Sequence, residues 1–109
     1  MPEYPPPKDM PGEVAAIWRE VVQAHADAGD DTIARKVGPG LEAYCAITAD
    51  LRAATIKVAE HGVLIQDARG TPVENPAIAI KNNAARELAR IGDRYQPRTA
   101  RTPRSRSRS

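Results

Sequence analysis

The sequence predicts a mainly α protein, a small helical body with a short β-hairpin between its second and third main helices. Three observations carry this. Apolar residues recur at helical spacing over residues 11–27, 41–61 and 77–91. Strand-like character is confined to two short runs on either side of a Gly-containing turn, and Gly and Pro punctuate the ends of the periodic stretches.

The first ten residues hold Pro2, Pro5, Pro6 and Pro7, which cannot donate the hydrogen bonds of a helix or sheet, and are expected to form an extended, flexible arm. From Pro11 to about Asp27, Val14, Ile17, Trp18, Val21 and Ala24 lie on one helical face; Asp9 is available as the N-terminal cap and Gly29 as the stop. Thr32 to Val37 add one turn capped by Asp31, and Gly38-Pro39-Gly40 ends it. The second main helix starts near Pro39 or Leu41 and runs to His61. At 100° per residue its apolar arc centres on Tyr44, Thr48, Leu51, Thr55 and Val58, flanked by Ile47 and Ala54 on one side and Leu41 and Cys45 on the other. Glu42, Asp50, Lys57 and Glu60 occupy the opposite side.

Gly62 is placed to end this helix in the left-handed conformation, which carries no Cβ penalty at glycine. Val63-Leu64-Ile65 and Thr71-Pro72-Val73 read as strands around an Asp67-Ala68-Arg69-Gly70 turn. Asn75 supplies a side-chain acceptor for the free N–H groups of the third helix, Pro76 fits its first position, and Gly92 is expected to end it. Ala77, Ile80, Ala84, Leu88 and Ile91 make the expected core face of that helix. Ile78, Ala85 and Ala89 form a second, mostly small-residue strip beside it, read as a subunit contact, and Arg86 and Arg90 stand opposite the core face.

At 109 residues the chain makes one domain at most, divided into an arm (1–10), a helical oligomerisation body (11–92) and a basic flexible tail (93–109). There is no Phe, and the aromatics are Trp18 with Tyr4, Tyr44 and Tyr95. So thin a core, beside apolar arcs wider than one small body buries, points to a homo-oligomer. The net charge of +2 conceals a segregation: residues 1–93 carry a balance of −4, and residues 94–109 hold six Arg and no acid. A cationic tail on an acidic body suits a polyanion or an acidic protein surface. The lone Cys45 fits a reducing compartment, and neither a signal peptide nor a membrane-spanning run is seen, so an intracellular protein is expected.

No catalytic constellation stands out. His25 falls on the apolar face of the first helix and reads as a packed, hydrogen-bonded residue, and His61 as a helix-end residue suited to the dipole. One Cys and two scattered His make no metal site, and no phosphate-binding Gly-Lys-Ser/Thr loop is present, so neither metal, cofactor nor ATP hydrolysis is expected. The strongest chemical signal is the tail, where Arg94, Arg98, Arg101, Arg104, Arg106 and Arg108 are spaced by small polar residues and Pro, leaving each guanidinium free for phosphate. Within the body, Arg35 and Lys36 near the Gly-Pro-Gly break, and Arg86 and Arg90 on the third helix, are the rigid basic candidates for phosphate contact, the alternative for each being an ordinary solvated or ion-paired residue. The break is not the short turn of a helix-turn-helix motif.

The order of a long helix ending in Gly, a hairpin with a Gly turn, an Asn75-Pro76 helix start, then Gly92 and a Pro/Arg-rich exit resembles the phage terminase small subunit family. The likeness extends upstream through Leu41-Glu42-Ala43-Tyr44-Cys45, Asp30-Asp31 and Trp18, and covers roughly residues 11–101. The exit, Gly92-Asp93-Arg94-Tyr95-Gln96-Pro97-Arg98, is looser and more basic than the compact Gly-Leu-Thr-Pro-x-x-Arg run such families often show. The resemblance implies a non-catalytic, ring-shaped homo-oligomer in the host bacterial cytoplasm. It would bind viral double-stranded DNA at the packaging start site and regulate the terminase large subunit, which carries the ATPase and nuclease. A helical nucleic-acid-binding accessory protein, or an adaptor whose basic tail docks on an acidic protein, are the alternatives.

Overall fold

In the computed structural model, which describes residues 4–98, the first apolar stripe becomes α1 (Gly12–Ala28). Val14, Ala15, Ile17, Trp18, Val21 and His25 are its buried residues, and Gly29 ends it in the left-handed conformation at φ 70° and ψ 26°. Asp9 does not cap it. Pro11 takes the N-cap position with no side-chain hydrogen bond, because a turn closed by the Met10 N–H on the Pro7 carbonyl (3.1 Å) leads the chain in. Residues 4–10 form neither helix nor strand, yet they are docked: Trp18 Nε1 donates to the Tyr4 carbonyl at 2.7 Å, and Tyr4 and Met10 pack against the core.

The single turn α2 (Ile33–Lys36) is organised by Asp30 rather than by Asp31. Asp30 Oδ1 accepts from the Thr32 N–H (2.9 Å) and the Thr32 hydroxyl (2.5 Å), because the turn at Gly29 directs Asp30 inward and leaves Asp31 exposed.

Pro39 then opens α3 (Pro39–His61), on which both α1 and the last helix pack. Its expected central stripe is not the most buried line: Tyr44, Thr48, Leu51 and Val58 are half-buried and Thr55 is exposed, whereas Leu41, Cys45 and Ala54 are buried. The two packing helices make few contacts with each other, so α3 is covered from separate sides, and flank positions fall under its neighbours.

At Gly62 φ is +85° as glycine permits, but ψ is 176°, which is extended rather than left-handed helical. The chain passes straight into pairing: the Asn75 N–H donates to the Val63 carbonyl at 2.7 Å. The strands β1 (Leu64–Gln66) and β2 (Pro72–Glu74) lie one residue later than expected and pair antiparallel, with Leu64 opposite Glu74, Ile65 opposite Val73 and Gln66 opposite Pro72. The turn is the expected one, closed by the Gly70 N–H on the Asp67 carbonyl (2.9 Å), with Asp67 Oδ1 accepting from the Arg69 and Thr71 N–H groups.

Asn75 caps α4 (Ala77–Ile91) as expected, its Oδ1 accepting from the Ala77 N–H at 3.0 Å; its Nδ2 also donates to the Gly62 carbonyl at 3.0 Å. Ala77 and Ala84 are buried and Leu88 and Ile91 half-buried, but Ile80 is 50% exposed because its side of the α4 start has no covering layer. Gly92 follows the last α-helical residue, Ile91, as expected, but does not end the helical path. It keeps right-handed helical angles, and the chain tightens into a 3-10 turn, Gly92–Tyr95, because Tyr95 is drawn into the core.

The core cluster joins Val14, Ile17, Trp18 and Val21 of α1 to Ile33, Leu41, Cys45 and Tyr95, so it sits at the end of the molecule where α1, α2 and the 3-10 turn meet the start of α3. The far end, built from the second half of α3, the hairpin and the start of α4, leaves Ile56, Val63, Leu64 and Ile80 exposed. The body is a plate of 57 × 44 × 20 Å, roughly two helix diameters thick. Among the described residues no helix is long and apolar enough to cross a membrane.

Candidate nucleic-acid interface

The exit from α4 is held by an aromatic contact. The Tyr95 ring lies 5.0 Å from that of Tyr44 at 34°, and its hydroxyl rests against Gly40, where a Cβ would collide with it. Gly40 therefore serves close approach, and through it the start of α3 receives a side chain from the far end of the chain. Gln96 comes next, its Nε2 donating to the Tyr44 hydroxyl at 3.2 Å.

This docking carries the basic exit to α2. Arg94 Nη2 donates to the Arg35 carbonyl at 3.4 Å, while its guanidinium lies 5.7 Å from the Tyr95 ring centroid. The Arg98 N–H donates to Asp30 Oδ2 at 2.7 Å. Arg35, Arg94 and Arg98 are all exposed, so three cations from positions some sixty residues apart gather at one corner.

Beneath them lies a buried polar cluster. Lys36 Nζ is 2.8 Å from His25 Nε2, 3.4 Å from the Gln96 carbonyl oxygen and 3.8 Å from Asp30 Oδ2. An ammonium has only donors, so His25 Nε2 accepts, and the ring proton sits on Nδ1, donating to the Val21 carbonyl at 2.8 Å. The Thr32 hydroxyl, aided by the Arg98 and Thr32 N–H groups and the Lys36 charge, holds the Asp30 carboxyl well below the ordinary carboxylate range against the opposing effect of burial. Burial pushes the Lys36 pKa down, Asp30 pulls it back up, and the charges of Arg98, Arg94 and Arg35 lower it further. Lys36 is thus committed to the interior, with a side chain 10% exposed, rather than offered to a ligand as the sequence led us to expect.

Arg86 and Arg90 stand exposed on α4, bonded along their own helix to Asn83 and Glu87 respectively. Arg101, Arg104, Arg106 and Arg108 lie outside the described residues. Of the strip read as a subunit contact, Ala85 and Ala89 are exposed and Ile78 is half-buried. His25 is packed and hydrogen-bonded as its position on α1 indicated, and His61 is exposed beside Glu60 at the end of α3. Cys45 is fully buried, its thiol pushed up to about 11 chiefly by burial and secondarily by Glu20. No group of three or more His, Cys, Asp or Glu is arranged to hold a metal ion among the described residues.

Sequence reading missed Asp30 and Tyr95. The first was within reach: an Asx turn bonds two residues onward, and in Asp30-Asp31-Thr32 that selects Asp30 as partner of Thr32. Tyr95 carried no local signal, because its partner Gly40 is distant in the chain.

A small helical body with a β-hairpin between its last two main helices and a basic corner leading into an arginine-rich end is the class of protein these features define. The profile of the family described as phage terminase, small subunit, matches residues 15–109, and the chain belongs to that family. Its role is accordingly in phage genome packaging. No curated protein and no solved structure gives a match in the corresponding comparisons.

Proposed function

We propose that this protein is the non-catalytic, DNA-engaging component of a packaging terminase in the host bacterial cytoplasm. It assembles into a homo-oligomeric ring, contacts viral duplex DNA at the packaging start site, and regulates the large subunit that carries the ATPase and nuclease. The convergence of exposed Arg35, Arg94 and Arg98 at the point where the arginine-rich segment begins carries this reading. Guanidinium groups on a firm base meet phosphates at lower entropic cost than free ones, and the sequence beyond residue 98 supplies four further arginines. Arg86 and Arg90 form a second basic row on α4. The ring multiplies weak contacts by avidity, and the apolar residues left open at the far end of the plate, with Ile78, Ala85 and Ala89, are its subunit contacts.

The test is duplex binding by the Arg35→Gln/Arg94→Gln/Arg98→Gln triple variant beside an Arg86→Gln/Arg90→Gln variant. The triple variant is expected to lose affinity on any sequence and to flatten the plot of log affinity against log salt by about 0.9 for each phosphate contact removed. Unchanged affinity and slope in both variants would reject the interface and favour the adaptor reading, in which the basic segment binds an acidic protein.

A further inference from the structure

At the root of the basic segment the body grips backbone rather than side chains. Lys36 Nζ reaches the Gln96 carbonyl and Asp30 Oδ2 takes the Arg98 N–H, so the Arg98 guanidinium is left outside and exposed. The groups that hold on are unusually deep for charged residues: the Asp30 side chain is 4% exposed and Lys36 is braced by a fully buried His25. Removing charges from water to this extent is costly unless each finds partners, and the partners here include two backbone groups of residues 96–98. Neither is needed to complete the helices, because Gly29 ends α1 and the Thr32 bonds shape the α1–α2 loop without Asp30 Oδ2.

We propose that the α1–α2 loop and the end of α2 form a backbone clasp that fixes where the basic segment leaves the body. Asp30 and Lys36 are its positioning residues, and His25 orients Lys36. The clasp holds Arg94 and Arg98 beside Arg35, so that the rigid part of the interface and the arginines beyond it start from one corner. Its purpose, though not its existence, rests on the DNA-binding reading above.

Asp30→Asn in the full chain keeps an acceptor for Thr32 and turns an amide N–H₂ toward the Arg98 N–H; Lys36→Met removes the other grip. Both are compared with wild type by residue-resolved amide hydrogen exchange and by duplex DNA binding over a salt series, with Thr32→Val as a loop variant that spares Oδ2. Asp30→Asn is expected to reduce protection of the Arg98 amide at least about tenfold while amides inside α3 and α4 keep theirs, and Thr32→Val to retain most of it. DNA affinity should fall severalfold in Asp30→Asn and Lys36→Met, with a slope flatter by about 0.9 or more. Full Arg98 protection in both clasp variants would overturn the proposal, and Lys36→Met decides if Asp30→Asn does not fold. Lost protection with unaltered affinity and slope would overturn the positioning role. Lost protection in a chain whose wild type binds no duplex DNA would support the clasp and reject the DNA-binding reading instead.

Discussion

One asparagine joins three parts of this chain. Asn75 caps α4 through Oδ1, bonds the Gly62 carbonyl through Nδ2 and starts the hairpin pairing through its N–H, all while buried. A lost cap costs about 1 kcal/mol and the half-buried Gly62 carbonyl left without its donor up to about 1 more, so Asn75→Ala should destabilise the protein by about 1–2 kcal/mol in denaturant titration. Asn75→Asp keeps the cap acceptor and loses the donor, and should fall between; an aspartate as damaging as alanine would mean that the bond to Gly62 dominates. Asp30 has its own signature, in pH. Its folded pKa is depressed, so its contribution is fully present above the unfolded carboxylate value of about 4 and is lost as pH falls below that toward the folded value, where the unfolded chain takes up the proton first. Acid titration of stability should therefore be steeper below pH about 4 in wild type than in Asp30→Asn, and equal slopes would show that this carboxylate is not so tightly held.

The three main helices were legible because their periodicity and punctuation agree: apolar spacing, Gly29 after α1, Pro39 at the first position of α3 and Asn75-Pro76 before α4 all act locally. What escaped was decided across the fold. Both strands lie one residue later than their strand-like runs, on a ladder that begins where the Asn75 N–H meets the Val63 carbonyl at the helix junction. The path continues past Gly92 because Tyr95 has a place on Gly40 and Tyr44, which a reading of residues 92–98 by themselves does not contain. The arginines of the site were identifiable by type, but their convergence was not, and Lys36 could not be separated from Arg35 without knowing that His25 and Asp30 lie beneath it. Gly40→Ala tests this element-level account. The added methyl must displace the Tyr95 hydroxyl, costing about 1–3 kcal/mol and raising hydrogen exchange in the 3-10 turn while α4 stays protected. Exchange unaltered in residues 92–96 would show that the turn is held by something other than this contact.

Taken as a whole, the molecule is finished at one end only. The cluster around Trp18 and Leu41 is sealed by α1, α2 and Tyr95, whereas the far end exposes Ile56, Val63, Leu64 and Ile80 on a body only 20 Å thick. Soluble monomers keep large apolar patches covered, so light scattering is expected to give a multiple of the 11.8 kDa chain mass. Leu64→Asp, Ile80→Asp and Ala85→Glu should each lower that multiple more than Asn82→Glu does, and a stable single-chain mass at micromolar concentration would remove the ring. Under the proposed function, the corner at Arg35, Arg94 and Arg98 and the arginines beyond residue 98 are the DNA contacts of a chain whose acidic body gives way to a basic end. The most direct test of that claim is the salt dependence of duplex binding by the full chain and by a chain ending at residue 98, measured on packaging-start and unrelated DNA. Loss of Arg101, Arg104, Arg106 and Arg108 should weaken both complexes and flatten both plots of log affinity against log salt by up to about 0.9 per arginine, with assembly intact. Identical affinities and slopes for the two chains on both DNAs would contradict it.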